Sequence, residues 1–138
     1  MADPATRMLT GGVATGEVLV LDEPLSFWGG VDPETGRLID PHHPQAGASL
    51  VGRVIVMVSG RGSSSSSYVL AEAIQAGTAP AAIVLAEVDP IVALGAIVAA
   101  ELYGVEVPVA VSADSGLVTG QTVTVRTAPG GRADISPA

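Results

Sequence analysis

The middle of the chain is patterned in continuous apolar runs rather than in alternation. Residues 53–58 (Arg53-Val54-Ile55-Val56-Met57-Val58) form a β-branched run that predicts a strand buried on both faces. Residues 68–76 place Val69, Leu70, Ala73 and Ile74 on one face at helical spacing, and Gly77 supplies a stop. A second apolar strand is predicted at 81–85. Asp89-Pro90 then has the form of an N-cap followed by proline at the first helical position. Ile91, Leu94, Val98 and Leu102 keep helical spacing up to Gly104, a suitable terminator. Residues 107–111 are a third apolar strand, with Pro108 placing it at an edge or marking its first residues. This order predicts β-α-β-α-β with parallel strands and right-handed crossovers.

The ends carry a different signal. Residues 16–21 predict a strand ended by Asp22-Glu23-Pro24, and 122–126 alternate like a half-exposed strand. Such strands suit an antiparallel layer, so the fold class expected is α/β, a layered β/β/α domain over residues 11–127. Residues 1–10 are polar without a period and are expected to be a loose start. Residues 128–138, Gly/Pro-rich from Pro129, are expected to be a disordered tail. Residues 25–52 are too long for a plain connection and too rich in Gly and Pro for a helix. A short strand is expected at 37–39. The only Phe and the only Trp, Phe27 and Trp28, lie in this segment, which argues for an ordered loop packed on something.

Composition narrows the chemistry. The 138 residues allow one domain, and with 48% hydrophobic but 3% aromatic residues its core must be aliphatic. The net charge is −8 and all six basic residues are arginine, so no basic stripe exists for nucleic acid. Without cysteine the chain has no disulfide and no thiolate for zinc or an iron–sulfur cluster. Without lysine or cysteine, Schiff-base and thiol nucleophilic chemistry are excluded. The longest apolar run is too short to span a bilayer and no signal-peptide pattern opens the chain. A soluble, cytoplasmic protein with no membrane partner is expected.

Between the first predicted strand of the middle and its helix lies Ser59-Gly60-Arg61-Gly62-Ser63-Ser64-Ser65-Ser66-Ser67. Five consecutive serines between glycines also describe a flexible linker. The flanks argue otherwise, because the strand and the helix are too short to be independent units. Hydroxyls and N–H groups gathered at a helix N-terminus bind anions and stabilise an oxyanion.

Four motifs in order carry a resemblance. Residues 26–36 (Ser26-Phe27-Trp28-Gly29-Gly30-Val31-Asp32-Pro33-Glu34-Thr35-Gly36), 39–44 (Ile39-Asp40-Pro41-His42-His43-Pro44), 60–65 (Gly60-Arg61-Gly62-Ser63-Ser64-Ser65) and 79–83 together resemble the small, swivelling subunit of the aconitase X family. The resemblance implies a swivelling β/β/α domain like the fourth domain of aconitase, closing over a site held by a larger partner subunit. That partner would supply an iron or iron–sulfur centre and most substrate ligands, and this chain no metal ligand. The family's activity is dehydration of a small hydroxy acid. One branch acts on cis-3-hydroxy-L-proline and an archaeal branch on phosphomevalonate. The dense serines 63–67 followed by Leu70-Ala71-Glu72-Ala73-Ile74 are more similar to the proline branch.

The resemblance assigns Ser63 the role of base, removing the proton α to the substrate carboxylate while the partner's iron polarises the departing hydroxyl. The product would be an enamine that tautomerises to pyrroline-2-carboxylate. A helix N-terminus stabilises an alkoxide by at most ~2 kcal/mol, about 1.5 pKa units. Arg61, the only charged side chain in the loop, is the local candidate for further help, or else a surface guanidinium that fixes the loop. Gly62, Ser64, Ser65 and Ser67 are candidate substrate contacts, with helix capping expected of at least one of the three serines. Gly30 and Asp32 are candidate contacts from the neighbouring turn, although 32–36 also has plain turn composition. His42-His43 is read as structural or interfacial, since no third ligand has metal spacing. A free-standing anion-binding module remains open, as phosphate at a helix N-terminus requires no catalytic serine. So does a pure assembly subunit. A phosphohistidine carrier lacks a histidine near the loop.

Overall fold

The computed structural model of the chain describes residues 6–138. Among the described residues, β1 (Arg7–Thr10), β2 (Val13–Val20), β3 (Val54–Met57), β4 (Ala82–Leu85), β5 (Val109–Val111), β6 (Thr122–Ala128) and β7 (Arg132–Pro137) form one closed barrel in the order β1-β5-β4-β3-β2-β6-β7. The predicted middle is present as β3 (Val54–Met57), α2 (Ser65–Ala76), β4 (Ala82–Leu85), α3 (Pro90–Tyr103) and β5 (Val109–Val111). With β2 (Val13–Val20) these strands pair in parallel, β2 to β3, β3 to β4 and β4 to β5. Both faces are buried, which is why the runs are continuously apolar. Val18, Val54, Ala82, Val84 and Ala110 pack together inside the barrel with Val123, Val125 and Ile135. Their neighbours Leu19, Ile55, Met57, Ile83, Leu85 and Val109 pack outward against Leu70, Ile74, Val92, Ala96 and Ala99 of the helices.

The ends correct three expectations. β1 (Arg7–Thr10) lies where a loose start is expected, and pairs antiparallel with β5. The remainder of that expectation, residues 1–5, lies outside the described residues. The tail is not disordered: β7 (Arg132–Pro137) pairs along its length with β6 (Thr122–Ala128), placing Ile135 opposite Val125 in the barrel core. β6 also pairs with β2, and β1 meets β7 at Arg7 and Arg132, closing the ring. The antiparallel strands therefore continue the parallel sheet rather than forming a separate layer. β5 lies between β1 and β4, so Pro108 precedes a central strand instead of marking an edge.

The long segment is ordered. Leu25, Phe27, Leu38 and Leu50 are fully buried against the helix-side core, whereas Trp28 is exposed. Residues Phe27–Gly30 make a single helical turn, α1, with non-helical backbone at Trp28 and Gly29. The short strand expected at 37–39 is reduced to isolated bridges of Val31 with Leu38 and Arg37 with Ser49. His43 is buried and acts as a brace: Nδ1 accepts from the Gln45 N–H at 3.0 Å, and Nε2 donates to the Glu23 carbonyl at 3.0 Å. His42 is exposed, so the two rings do not form a pair. His43→Ala removes both bonds from a dry site and is expected to destabilise the fold by about 2 kcal/mol. A lower denaturant midpoint at unchanged slope would show it.

Candidate functional site

The serine loop leaves β3 at the C-terminal end of the parallel strands, where α/β folds gather ligands. It is fixed at three points. Gly60 bridges Leu25, and the Arg61 N–H donates to the Leu25 carbonyl at 3.1 Å. The Gly60 N–H donates to Asp89 Oδ2 at 2.9 Å. The other oxygen of Asp89 caps α3, accepting from Ile91 N–H at 3.0 Å and Val92 N–H at 3.2 Å. One carboxylate thus ties the loop to the start of α3. Gly62 then turns with φ +94°, where an added Cβ would sit 2.8 Å from Ser26 Oγ. Both backbone and space require glycine there.

The serines divide by role. Ser63 is exposed, and its Oγ accepts the Ser65 N–H at 3.0 Å, at the first turn of α2. Ser64 is the N-cap of α2 and makes no side-chain cap bond, so the capping expected of Ser64, Ser65 or Ser67 is not made; the Ser63–Ser65 contact is a turn that leads into the helix. Ser64 and Ser65 are exposed beside it. Ser66 is buried, and its Oγ accepts the Trp28 N–H at 3.2 Å, holding α1 on α2. Ser67 Oγ donates to the Ile91 carbonyl at 2.6 Å, so this candidate contact faces α3. Gly95 permits that approach, since a Cβ on it would lie 2.8 Å from the Ser67 carbonyl oxygen.

A cavity of about 170 Å³ opens beside the loop, floored by Leu25, Phe27, Ile91 and Val92 and rimmed by Gly60, Arg61, Gly62 and Asp89. Arg61 Nη2 lies 3.4 Å from Asp40 Oδ2. Arg61 and Gly62 line this cavity, and Ser63 follows them in the chain outside its lining. Gly30 is buried near Asp40, an added Cβ lying 4.0 Å from the Asp40 Cβ. Asp32 accepts from the Glu34 N–H at 2.9 Å and receives the Gly36 N–H on its carbonyl, the geometry of a turn away from the cavity. Sequence reading missed Asp89 as a loop anchor, having seen only its cap, and missed Leu25 and Phe27 lining the cavity and Asp40 beside Arg61. Only the Asp-Pro spacing before α3 and the proximity of Leu25 to the Phe-Trp turn hinted at them.

Among the described residues no group of three or more His, Asp or Glu stands close enough to hold a metal ion. No helix among them is long and apolar enough to cross a membrane.

Known proteins are similar to this chain in sequence and fold. The chain is 54% identical over 104 residues to cis-3-hydroxy-L-proline dehydratase of Pseudomonas aeruginosa, covering 75% of this chain and 18% of that one. It therefore spans about a fifth of that relative's length. It is 50% identical over 93 residues to the phosphomevalonate dehydratase small subunit of Methanothermobacter thermautotrophicus, covering 67% of this chain and 71% of that one. The crystal structure of Thermococcus kodakaraensis aconitase X in its holo-form superposes with a TM-score of 0.81 at 40% identity, over 94% of this chain and 95% of that one. The family described as the aconitase X swivel domain matches residues 4–132, from before β1 to the first residue of β7, and it is to this family that the chain belongs.

Proposed function

We propose that this chain is the swivelling small subunit of an aconitase-like hydro-lyase and that its serine loop supplies the base. The observation that carries the reading is the position of Ser63: an exposed hydroxyl at the N-terminus of a twelve-residue helix, two residues from Arg61 on the cavity rim. Ser63 Oγ, as the alkoxide, takes the proton α to the substrate carboxylate, the electron pair of that carbon–hydrogen bond forms the double bond, and the hydroxyl on the adjacent carbon departs as hydroxide. The proton gained by Ser63 balances it as one water released per turnover. The Ser65 N–H and the first turn of α2 stabilise negative charge on Oγ. Arg61 receives the substrate's carboxylate and adds its positive charge. The cavity is smaller than the ~300–1,000 Å³ of a complete ligand pocket, as expected of half a site. Trp28 and Tyr68, exposed by 58% and 72%, flank the loop with apolar surface suited to a covering partner. The iron or iron–sulfur centre implied by the family would belong to that large subunit, since the described residues of this chain offer no ligand cluster. The isolated chain is then expected to be inactive.

The substrate proposed is cis-3-hydroxy-L-proline, supported by the serine density of the loop and by the 54% identity to the Pseudomonas aeruginosa dehydratase. Loss of the α proton and the 3-hydroxyl leaves an enamine, which tautomerises to pyrroline-2-carboxylate. A second reading, phosphomevalonate dehydration, is favoured by a separate observation. The Methanothermobacter and Thermococcus gammatolerans small subunits match over 71% and 87% of their own lengths, as small chains of similar size. Turnover by this chain co-expressed anaerobically with its large subunit separates the two. Consumption of hydroxyproline supports the first, consumption of phosphomevalonate the second. An iron-replete complex that turns over neither overturns both.

A further inference from the structure

The Ile39–Pro44 motif supports the family resemblance but has no part in the chemistry above. Its geometry gives it one. Asp40 sits in a segment braced on both sides. Its Oδ1 accepts the His42 N–H at 2.9 Å, its carbonyl accepts the His43 N–H at 3.2 Å, and His43 is itself locked between Glu23 and Gln45. With Oδ1 committed, Oδ2 is presented to Arg61 Nη2 at 3.4 Å, across 21 residues of sequence. The Asp40 side chain is 23% exposed and that of Arg61 49%. A braced carboxylate therefore faces a half-exposed guanidinium at the cavity rim.

We infer that Asp40 is a positioning residue, holding one terminal nitrogen of Arg61 so that the rest of the guanidinium is aimed at the substrate's carboxylate. Arginine carries five N–H donors in a planar fork, and Asp40 engages one of them, leaving four for a second anion. Free in solvent, the arginine side chain samples many rotamers, and this freedom is lost when substrate binds. Asp40 removes part of that loss beforehand. The pair is long and half-exposed, so it contributes little to fold stability. Its effect belongs to substrate affinity.

This inference rests on Arg61 contacting substrate, and the test separates the two. Asp40→Asn retains an oxygen for the His42 N–H, so the braced turn survives, but turns an amide toward the guanidinium. In the assembled enzyme D40N is expected to raise KM roughly fivefold with kcat within about twofold. Arg61→Ala is expected to raise KM further, and the double variant to be no worse than R61A. On the isotopically labelled full chain, the Arg61 Nε–H resonance is expected to move toward that of a free arginine in D40N, with the Gly60 and Gly62 amides unmoved. An unchanged Nε–H resonance overturns the inference. So does an unchanged or lowered KM in D40N alongside a raised KM in R61A, which would make Asp40 a bystander or a competitor while leaving Arg61 in place. An unchanged KM in R61A removes Arg61 from the site, and with it both the proposed role of Arg61 and the purpose of Asp40.

Discussion

Ser63→Ala in the assembled enzyme is expected to lower kcat by about 10²- to 10⁴-fold, the range for loss of a positioned base. KM and assembly are expected to hold, because the hydroxyl is exposed and, among the described residues, bonds only to the Ser65 N–H. Losing that bond removes a cap-like contact, at about 1 kcal/mol of stability. The activity effect is far larger than this and cannot arise from it, provided that the variant is shown folded at the assay temperature. Ser64→Ala and Ser65→Ala are the controls for fold, with stability expected within about 0.5 kcal/mol of the parent. Turnover of an S63A complex at the parent rate would remove Ser63 as base. The anion-binding reading, in which the loop only holds a carboxylate or phosphate, would then be preferred.

The second large effect is at Asp89. Its two oxygens do different work, Oδ1 capping α3 and Oδ2 accepting the Gly60 N–H. Asparagine caps a helix about as well as aspartate, but it has one acceptor oxygen where this site uses two. D89N must therefore leave either the cap or the loop anchor unmade. With the cap retained, it is expected to cost about 1 kcal/mol. D89A loses both and is expected to cost about 2–3 kcal/mol, read as a shift of the denaturant midpoint. Hydrogen exchange at the Gly60 amide should accelerate in both variants. A loop released by about an ångström would also lose roughly 100-fold in kcat. A D89N variant as stable as the parent, with Gly60 exchange unchanged, would show that the anchor is immaterial.

The β-α-β-α-β middle was legible because local rules agreed there. Strands buried on both faces must be apolar at every position, and Asp89-Pro90 and Gly104 punctuate α3 with side-chain chemistry that acts within a few residues. The strands expected at 16–21 and 122–126 are present as β2 and β6, whereas β1 and β7 were not legible, for the complementary reason. Arg7–Thr10 is four residues long, and in β7 only Ile135 is fully sequestered in the core. Such strands are held by the ladder of a partner strand far away in sequence, not by their own composition. The Pro129–Gly131 stretch that suggested disorder is the turn joining β6 to β7. Glycine and proline mark both, and only the pairing tells them apart.

The candidate site divides in the same way. By itself the sequence determined where the glycine–serine loop lies, that it opens a helix, and that no lysine or cysteine of this chain can serve it. The tertiary structure alone decided which serine faces solvent, since Ser63, Ser66 and Ser67 have the same side chain and differ only in what the helical turn presents to α1 and α3. It also decided that Asp89 reaches Gly60 and that Asp40 reaches Arg61. Periodicity and caps act between residues a few positions apart, so they are written in local order. The second oxygen of a carboxylate finds its partner only after the barrel has set distant segments side by side.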